Sequence, residues 1–204
     1  MATETKDKIL DTAERLFAEN GFDATSLRTI TAEAKVNLAA VHYHFHGKDS
    51  LLDAIILRKL ARVNREREML LDRFEAESPG AALPIEKVLE ALIAPTFAMA
   101  GGHPQFVKLM GRLQAEGLMT RLMTQHFQPL LDRFLTAIHR ALPGLEIDDL
   151  LWRVHFAVGA MAHALRNKPE LSGAFTAPPL APEAVSRQLV AFLAAGFRGA
   201  VPQE

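Results

Sequence analysis

The sequence contains no cysteine. This absence excludes disulfide frameworks, zinc–thiolate sites and cysteine nucleophiles together. The sequence also lacks a large excess of positive or negative residues, because it contains 23 Lys and Arg residues and 24 Asp and Glu residues. The whole chain therefore carries no field that would attract a polyanion or a membrane surface, and any anion-binding site must be local.

Long hydrophobic runs are absent as well. The longest stretch without formal charge, residues 91–107, contains two prolines and two adjacent glycines, and it falls short of the ~20 apolar residues that a spanning helix needs. The opening residues "MATETKDK" lack the apolar segment of a secretory signal. We therefore expect no membrane span and a cytoplasmic location.

Apolar residues recur at helical spacing of three and four, and no convincing run alternates in the manner of a strand, which predicts an all-α fold. The expected helices cover residues 5–20, 26–34, 38–45, 48–78, 84–100, 104–116, 118–142, 146–167 and 182–200. Three short helices form a helix-turn-helix domain over residues 1–48, and a helical bundle follows over 49–204. The proline-rich segment 168–183 is predicted to be a mobile loop.

The stretch "VNLAAVHYHFHGKDSLL", residues 36–52, crowds three histidines and a tyrosine into five positions. Histidines at a spacing of two point around a helix rather than to one side, so we expect no metal and no cofactor here. Spacing fixes no nucleophile or carboxylate beside them, so we expect no enzyme. A helix lying in a DNA groove fits better, because residues 26–34 and 38–45 have the proportions of a helix-turn-helix.

Val41 and Phe45 then face the core, and the other side of that helix reads DNA. Small or flat residues at the start of this helix can approach base edges, and hydrogen-bonding rings further along it can reach phosphates. The start of the preceding helix and the start of the following helix add further contacts. The candidate DNA-binding residues are Ser26, Arg28, Asn37, Leu38, Ala39, Ala40, His42, Tyr43, His44 and Lys48. Two alternatives remain open: Tyr43 could pack at a domain junction, and His44 could cap a helix end.

The run from Phe17 to Leu52 resembles the DNA-binding domain of TetR-family transcriptional repressors. The matching parts are the Gly-Phe pair after the first helix, Thr25, Ile30, "VNLAAV", "YHF" and Lys48 followed by Leu51. The resemblance implies a homodimer that binds a palindromic double-stranded operator and is released by a small effector. Lys35 departs from the family pattern, because it stands where glycine is usual in the turn. A residue other than glycine there must either tolerate a positive φ or shift the turn slightly, at a cost of about 1 kcal/mol.

The last two long helices carry small residues on broad apolar faces, which indicates that they pack against a second copy of the chain. The small residues are Ala157, Gly159, Ala160, Ala164, Ala191, Ala194, Ala195 and Gly196. Methionines and aromatic residues with a few polar groups predict an apolar effector pocket, with these candidates: Met99, Phe106, Met110, Gln114, Met123, His126, Phe127, Trp152 and His155.

The leading hypothesis is a ligand-responsive dimeric repressor. The alternative is a helical protein that binds hydrophobic small molecules without specific DNA binding. A non-specific DNA binder is disfavoured by the near-zero net charge. Charge also gives no help within residues 1–48, where six Lys and Arg residues face seven Asp and Glu residues, so DNA binding depends on where the charges lie.

Overall fold

The computed structural model describes residues 2–166, 170–172, 175–176 and 180–200. These residues form helices joined by short turns, with one small antiparallel pair of strands. In chain order the elements are α1 Ala2–Asn20, α2 Leu27–Ala34, α3 Leu38–Phe45, α4 Lys48–Glu77, α5 Ile85–Ala100, α6 Pro104–Ala115, α7 Met119–His126, α8 Gln128–Ala141, α9 Ile147–Arg166, β1 Glu170–Ser172, β2 Phe175–Thr176 and α10 Pro182–Arg198. The all-α prediction is confirmed.

The chain divides into two compact units. The first extends to Arg62 and also includes His103–Phe127; the second comprises Val63–Gly102 and the described residues from Gln128 onward. Helix α4 runs through the boundary. The functional division predicted between residues 48 and 49 stays a prediction. The boundaries of the compact units differ from it, because α6 and α7 pack within the first unit.

Contacts to backbone atoms join α6 to the end of α1 within the first unit. Arg112 Nη2 donates to the Glu19 carbonyl at 3.0 Å, and the Glu116 carboxylate accepts from the Phe22 N–H at 3.1 Å. Carbonyls in the last turn of a helix lack partners within the helix, so the Arg112 contact satisfies one of them. A β-carbon on Gly21 would lie 2.4 Å from Glu116 Oε1, which is the movable end of a side chain, so it is the φ of +92° that favours glycine at this position.

The predicted helix over residues 118–142 is wrong, because it is broken at Phe127 into α7 and α8. Phe127 leaves the helical conformation with φ −128° and ψ 6°. Pro129 explains the break: its ring collides with the carbonyl four residues earlier and it has no N–H to continue the ladder. Proline is tolerated in the first turn of a new helix, and α8 begins at Gln128.

The second unit buries one apolar core between the later part of α4 and helices α5, α8, α9 and α10. Its centre includes Leu89, Ile93, Phe97, Phe134 and Leu193. The strands β1 and β2 lie within the segment 168–183, which was predicted to be a mobile loop. The rest of that prediction falls partly outside the described residues, because residues 167–169, 173–174 and 177–179 are not described. Among the described helices, none combines the length and the apolar character that crossing a bilayer requires.

The turn between α2 and α3 contains a residue in the left-handed region, which was one of the two alternatives left open for Lys35. Lys35 has φ 53° and ψ 46° and closes α2 through its own N–H. A side chain in this conformation strains the backbone, whereas glycine does not.

We therefore expect Lys35→Gly to raise the free energy of unfolding by about 0.5–1 kcal/mol, measured by urea denaturation. The control Lys35→Ala removes the charge but keeps the β-carbon, and it should give no such gain. An equal gain in both variants would assign the effect to charge instead of backbone strain.

Candidate nucleic-acid interface

Helix α3 presents one face to the core and one to solvent. The Asn37 carboxamide oxygen accepts from the Ala40 N–H at 2.7 Å and so caps the helix start, which is worth ~1 kcal/mol in a typical helix. Val41 is fully buried and Phe45 is 3% exposed, as the sequence predicted. These two anchors, one turn apart, fix which face of α3 looks outward.

The outward face of α3 is a stripe of exposed residues, hereafter the reading face: Leu38, Ala39, His42 and Tyr43. Tyr43 is 79% exposed, which is incompatible with packing of its ring at a domain junction. Ala40 and His44 are half-buried at the edge of the stripe. The His44 ring contacts the Tyr43 ring edge-on, with ring centres 5.0 Å apart. The role in DNA binding assigned to the reading face, Ala40 and His44 stays a prediction.

The start of α2 places a hydroxyl and a cation near the same turn. Ser26 Oγ accepts from the Thr29 N–H at 3.0 Å, so Ser26 and not Thr25 caps the helix. Arg28 is exposed. Within the described part of the chain, no carboxylate forms an ion pair with Arg28 or with Lys35, so both remain available for phosphates.

The acidic residues of α1 and α2 are neutralised inside the first unit. Arg15 pairs with Glu19 at 2.9 Å and also with Glu33, and its hydrogen bond to Glu33 raises the pKa of the Arg15 guanidinium. Arg58 pairs with Asp11 at 2.7 Å. Most acidic residues of α1 and α2 are therefore paired with arginine or lysine, whereas Arg28 and Lys35, at the two ends of α2, are exposed.

Lys48 was predicted to lie near the DNA backbone, but its ammonium group is already engaged within the protein. It donates to the Phe22 carbonyl at 2.9 Å and lies 4.3 Å from the centre of the Phe22 ring. Two attachments to one loop make Lys48 an anchor of the connection between α1 and α2. The assignment of Lys48 to DNA stays a prediction, and loss of its side chain will also affect stability.

The nine candidate effector residues are divided between the two units. Phe106, Met110, Gln114, Met123, His126 and Phe127 belong to the first, and Met99, Trp152 and His155 belong to the second. His126 Nε2 lies 3.4 Å from Asp53 Oδ1, and both atoms are buried without a hydrogen-bond partner among the described residues. Gln114 and His155 are exposed. The pocket formed by these residues stays a prediction.

A groove of about 670 Å³ lies within the second unit, between α4, α5 and α10. Its apolar wall includes Met69, Leu70, Pro95, Phe97 and Val190, and glutamates and arginines stand at its rim. None of the nine candidate residues lines it. Glu86 at the rim is held by Arg198, whose hydrogen bond lowers the pKa of that carboxyl. Among the described residues, no group of histidines and carboxylates could hold a metal ion.

The middle of α4 is rich in charged residues, yet the Arg67 side chain within it is not simply solvated. Arg67 is half-buried and burial lowers the pKa of its guanidinium to about 10. Its N–H groups donate to the Leu92 carbonyl at 2.9 Å, to the Asn64 carboxamide oxygen at 2.9 Å and to the Thr96 hydroxyl at 2.7 Å. The signal in the sequence was its register with the buried residues Val63 and Leu71 on the same helix.

Helices α9 and α10 carry most of the large exposed apolar side chains described in the second unit, and the others are Met69 on α4 and Leu180 before α10. Hereafter we call those on α9 and α10 the apolar stripe: Ile147, Leu151, Trp152, Phe156, Val158 and Phe192. Trp152 and Phe156 are each 61% exposed, and Phe192 is 72% exposed. Gly159, Ala191, Ala195 and Gly196 are also exposed, whereas Ala157 and Ala194 are buried and so face the protomer's own core.

Arg153 fastens the two helices to each other. Its guanidinium donates to the carbonyls of Gly196 at 2.9 Å and of Gly199 at 2.7 Å, at the end of α10. A cation at this end also interacts favourably with the helix dipole. The apolar stripe is therefore presented by two helices in a fixed arrangement.

Two family models match the chain. One, described as bacterial regulatory proteins of the tetR family, covers residues 9–55, and one, described as the tetracyclin repressor-like C-terminal domain, covers residues 90–196. The transcriptional regulator UidR of Escherichia coli strain K12 is 28% identical over 117 residues, which are 57% of this chain and 54% of UidR. The chain thus spans about half the length of the curated relatives of this kind that it matches.

Solved structures resemble the chain over nearly its whole length. A TetR-like transcriptional regulator from Rhodococcus sp. RHA1 has a TM-score of 0.64 at 20% identity, covering 96% of this chain and 97% of its own. SmeT, the repressor of a Stenotrophomonas maltophilia multidrug efflux pump, has a TM-score of 0.64 at 21% identity in its complex with triclosan, covering 98% and 100%. At these identities the likeness establishes the fold.

Proposed function

Since this chain belongs to the TetR family of bacterial transcriptional regulators, we propose that it is a homodimeric repressor, released from a palindromic operator by a small, largely apolar effector. Regulators of this family act by binding DNA and are not enzymes. Binding to the genome places the proposed action in the cytoplasm.

The observation that carries the proposal is the reading face of α3. Tyr43 and His42 project from a helix whose other side is anchored by two buried residues. At its start, the small residue Ala39 permits close approach to base edges, and Leu38 offers an apolar surface to thymine methyl groups. The exposed cations Arg28 and Lys35 lie at the two ends of α2, where phosphate contacts would fix the position on the duplex.

The apolar stripe supports pairing with a second copy of the chain. Exposed aromatic side chains grouped on adjacent helices mark an interaction surface, and the exposed glycines and alanines among them permit close helix packing. A two-fold interface uses the same patch on both subunits, and two-fold pairing presents two reading faces to two half-sites.

An effector site is supported by the second unit, which contains both an open groove and the partly enclosed Arg67 cluster. SmeT, a relative in fold, has been solved with triclosan, a small molecule. We propose that an effector binds this unit and lowers the affinity for the operator.

A titration against duplex DNA from upstream of its own gene tests the function. We expect binding at least about a thousandfold tighter than to a shuffled duplex, and a steep loss of affinity between two salt concentrations because counterions are released from phosphates. Equal affinity for both duplexes would indicate a non-specific binder, and no affinity for either would favour a binding protein for hydrophobic molecules.

A further inference from the structure

Arg67 is a cation at a core position without a counter-ion. It lies on α4 between Val63, which is 1% exposed, and Leu71, which is fully buried. Every acceptor that it contacts is neutral: a carbonyl, a carboxamide and a hydroxyl. No carboxylate in the described ranges comes within ion-pair distance of it. Charges removed from water are normally paired, so this arrangement is incomplete for the protein alone.

The hydrogen-bonding capacity of the guanidinium is also only partly used. A guanidinium has five N–H donors, and three are directed to Leu92, Asn64 and Thr96. One N–H therefore remains on each terminal nitrogen. Two parallel N–H groups are what the two oxygens of a carboxylate accept. Arg67 is only half-buried, and it lies on α4 beside Glu66 and Leu70, which line the groove between α4, α5 and α10, although Arg67 itself does not line that groove.

The three neutral partners also hold the side chain in place. Asn64 lies one turn before Arg67 on α4, and the Leu92 carbonyl and the Thr96 hydroxyl lie one turn apart on α5. A side chain fixed on two helices loses little further freedom when a ligand binds, which favours affinity. The same contacts would join the ligand directly to the pair α4 and α5.

We propose that the effector is an apolar molecule bearing one carboxylate, and that Arg67 binds this carboxylate with Asn64 and Thr96 as positioning residues. The proposal rests on the effector-binding function proposed above and adds the chemical class of the ligand. The structural alternative is that Arg67 only ties α4 to α5. In that case the protein binds a carboxylate no more tightly than the matched neutral compound.

Calorimetric titration of the full chain, without DNA, distinguishes these cases. The probes are octanoate and 4-phenylbutyrate, each with its matched alcohol, and octyltrimethylammonium as the cationic counterpart. We expect at least one carboxylate to bind about tenfold or more tightly than its alcohol, because a charge-assisted bidentate contact discriminates by at least this factor. If neither acid is preferred over its alcohol, the proposal is overturned.

Variants assign the preference to Arg67. Arg67→Gln should bind acid and alcohol equally, whereas Arg65→Gln, which removes an exposed arginine two positions earlier, should keep the wild-type preference. If Arg67→Gln does not fold, Arg67→Lys takes its place: it keeps the charge without the planar fork and should retain a reduced preference. An undiminished preference in a folded Arg67→Gln protein contradicts the assignment.

The outcome is separable from that of the proposed function. A chain that binds the operator specifically but shows no preference for a carboxylate removes this inference and leaves the repressor. A chain that prefers the carboxylate but binds no operator removes the repressor and leaves an acid-binding site at Arg67.

Discussion

Phe156→Glu is expected to convert the dimer to monomers and to lower operator affinity by a factor of about 10²–10⁴, because the second half-site contact is no longer intramolecular. Phe156 is 61% exposed and lies beside Trp152 in the apolar stripe, with ring centres 5.7 Å apart. In a two-fold interface each substitution occurs twice. Two carboxylates buried without partners cost several kcal/mol, which an interface of this kind cannot offset.

Sedimentation velocity gives the oligomeric state, and fluorescence anisotropy gives the affinity. Met69→Glu is the matched control, because Met69 is 69% exposed in the same unit but lies on α4, outside the apolar stripe. It should remain dimeric. Circular dichroism should show that both variants are folded, since each changes an exposed position. A Phe156→Glu protein that stays dimeric would place the interface elsewhere.

Tyr43→Ala is expected to weaken operator binding by about 10- to 100-fold, the ~1–3 kcal/mol that a direct contact to DNA contributes. Because Tyr43 is 79% exposed, its removal should change the free energy of unfolding by no more than about 0.5 kcal/mol. The two numbers together separate a DNA contact from a scaffold residue. Dimerisation should be unaffected.

Tyr43→Phe refines the result. It keeps the ring and removes only the hydroxyl, so an intermediate affinity would indicate that both parts contact DNA. Wild-type affinity in Tyr43→Phe with a loss in Tyr43→Ala would assign the effect to the ring. If Tyr43→Ala binds the operator as the wild type does, the reading face as assigned is wrong. Lys48→Ala is a poorer test, because the Lys48 ammonium group also anchors the loop at Phe22.

Local signals in the sequence were sufficient for the helix-turn-helix. Asn37 at a helix start, and Val41 and Phe45 one turn apart, determine both the extent of α3 and the face that it buries. These features of α3 depend on residues fewer than ten positions apart, where sequence patterns carry most information. The family resemblance marked Lys35 as a residue that either tolerates a positive φ or shifts the turn, and it has φ 53°.

Features that depend on distant residues were not predicted. The packing of α6 on α1 includes the hydrogen bond from Arg112 to the Glu19 backbone carbonyl, and these two residues are far apart in the chain. The spacing of apolar residues along the sequence gives no sign of such a contact. The break at Phe127 was missed because the apolar spacing continues across Pro129. Arg67 was missed because it stands in a run of charged residues, where its register with Val63 and Leu71 is hard to see.

Hydroxyl-radical footprinting of the wild-type protein on its operator tests most directly whether α3 of each subunit lies in a DNA groove. Paired reading faces predict two protected segments on one side of the duplex, separated by whole helical turns of about 10–10.5 base pairs, with weaker protection of both in Tyr43→Ala. A single protected segment, or protection that does not depend on Tyr43, would contradict the account.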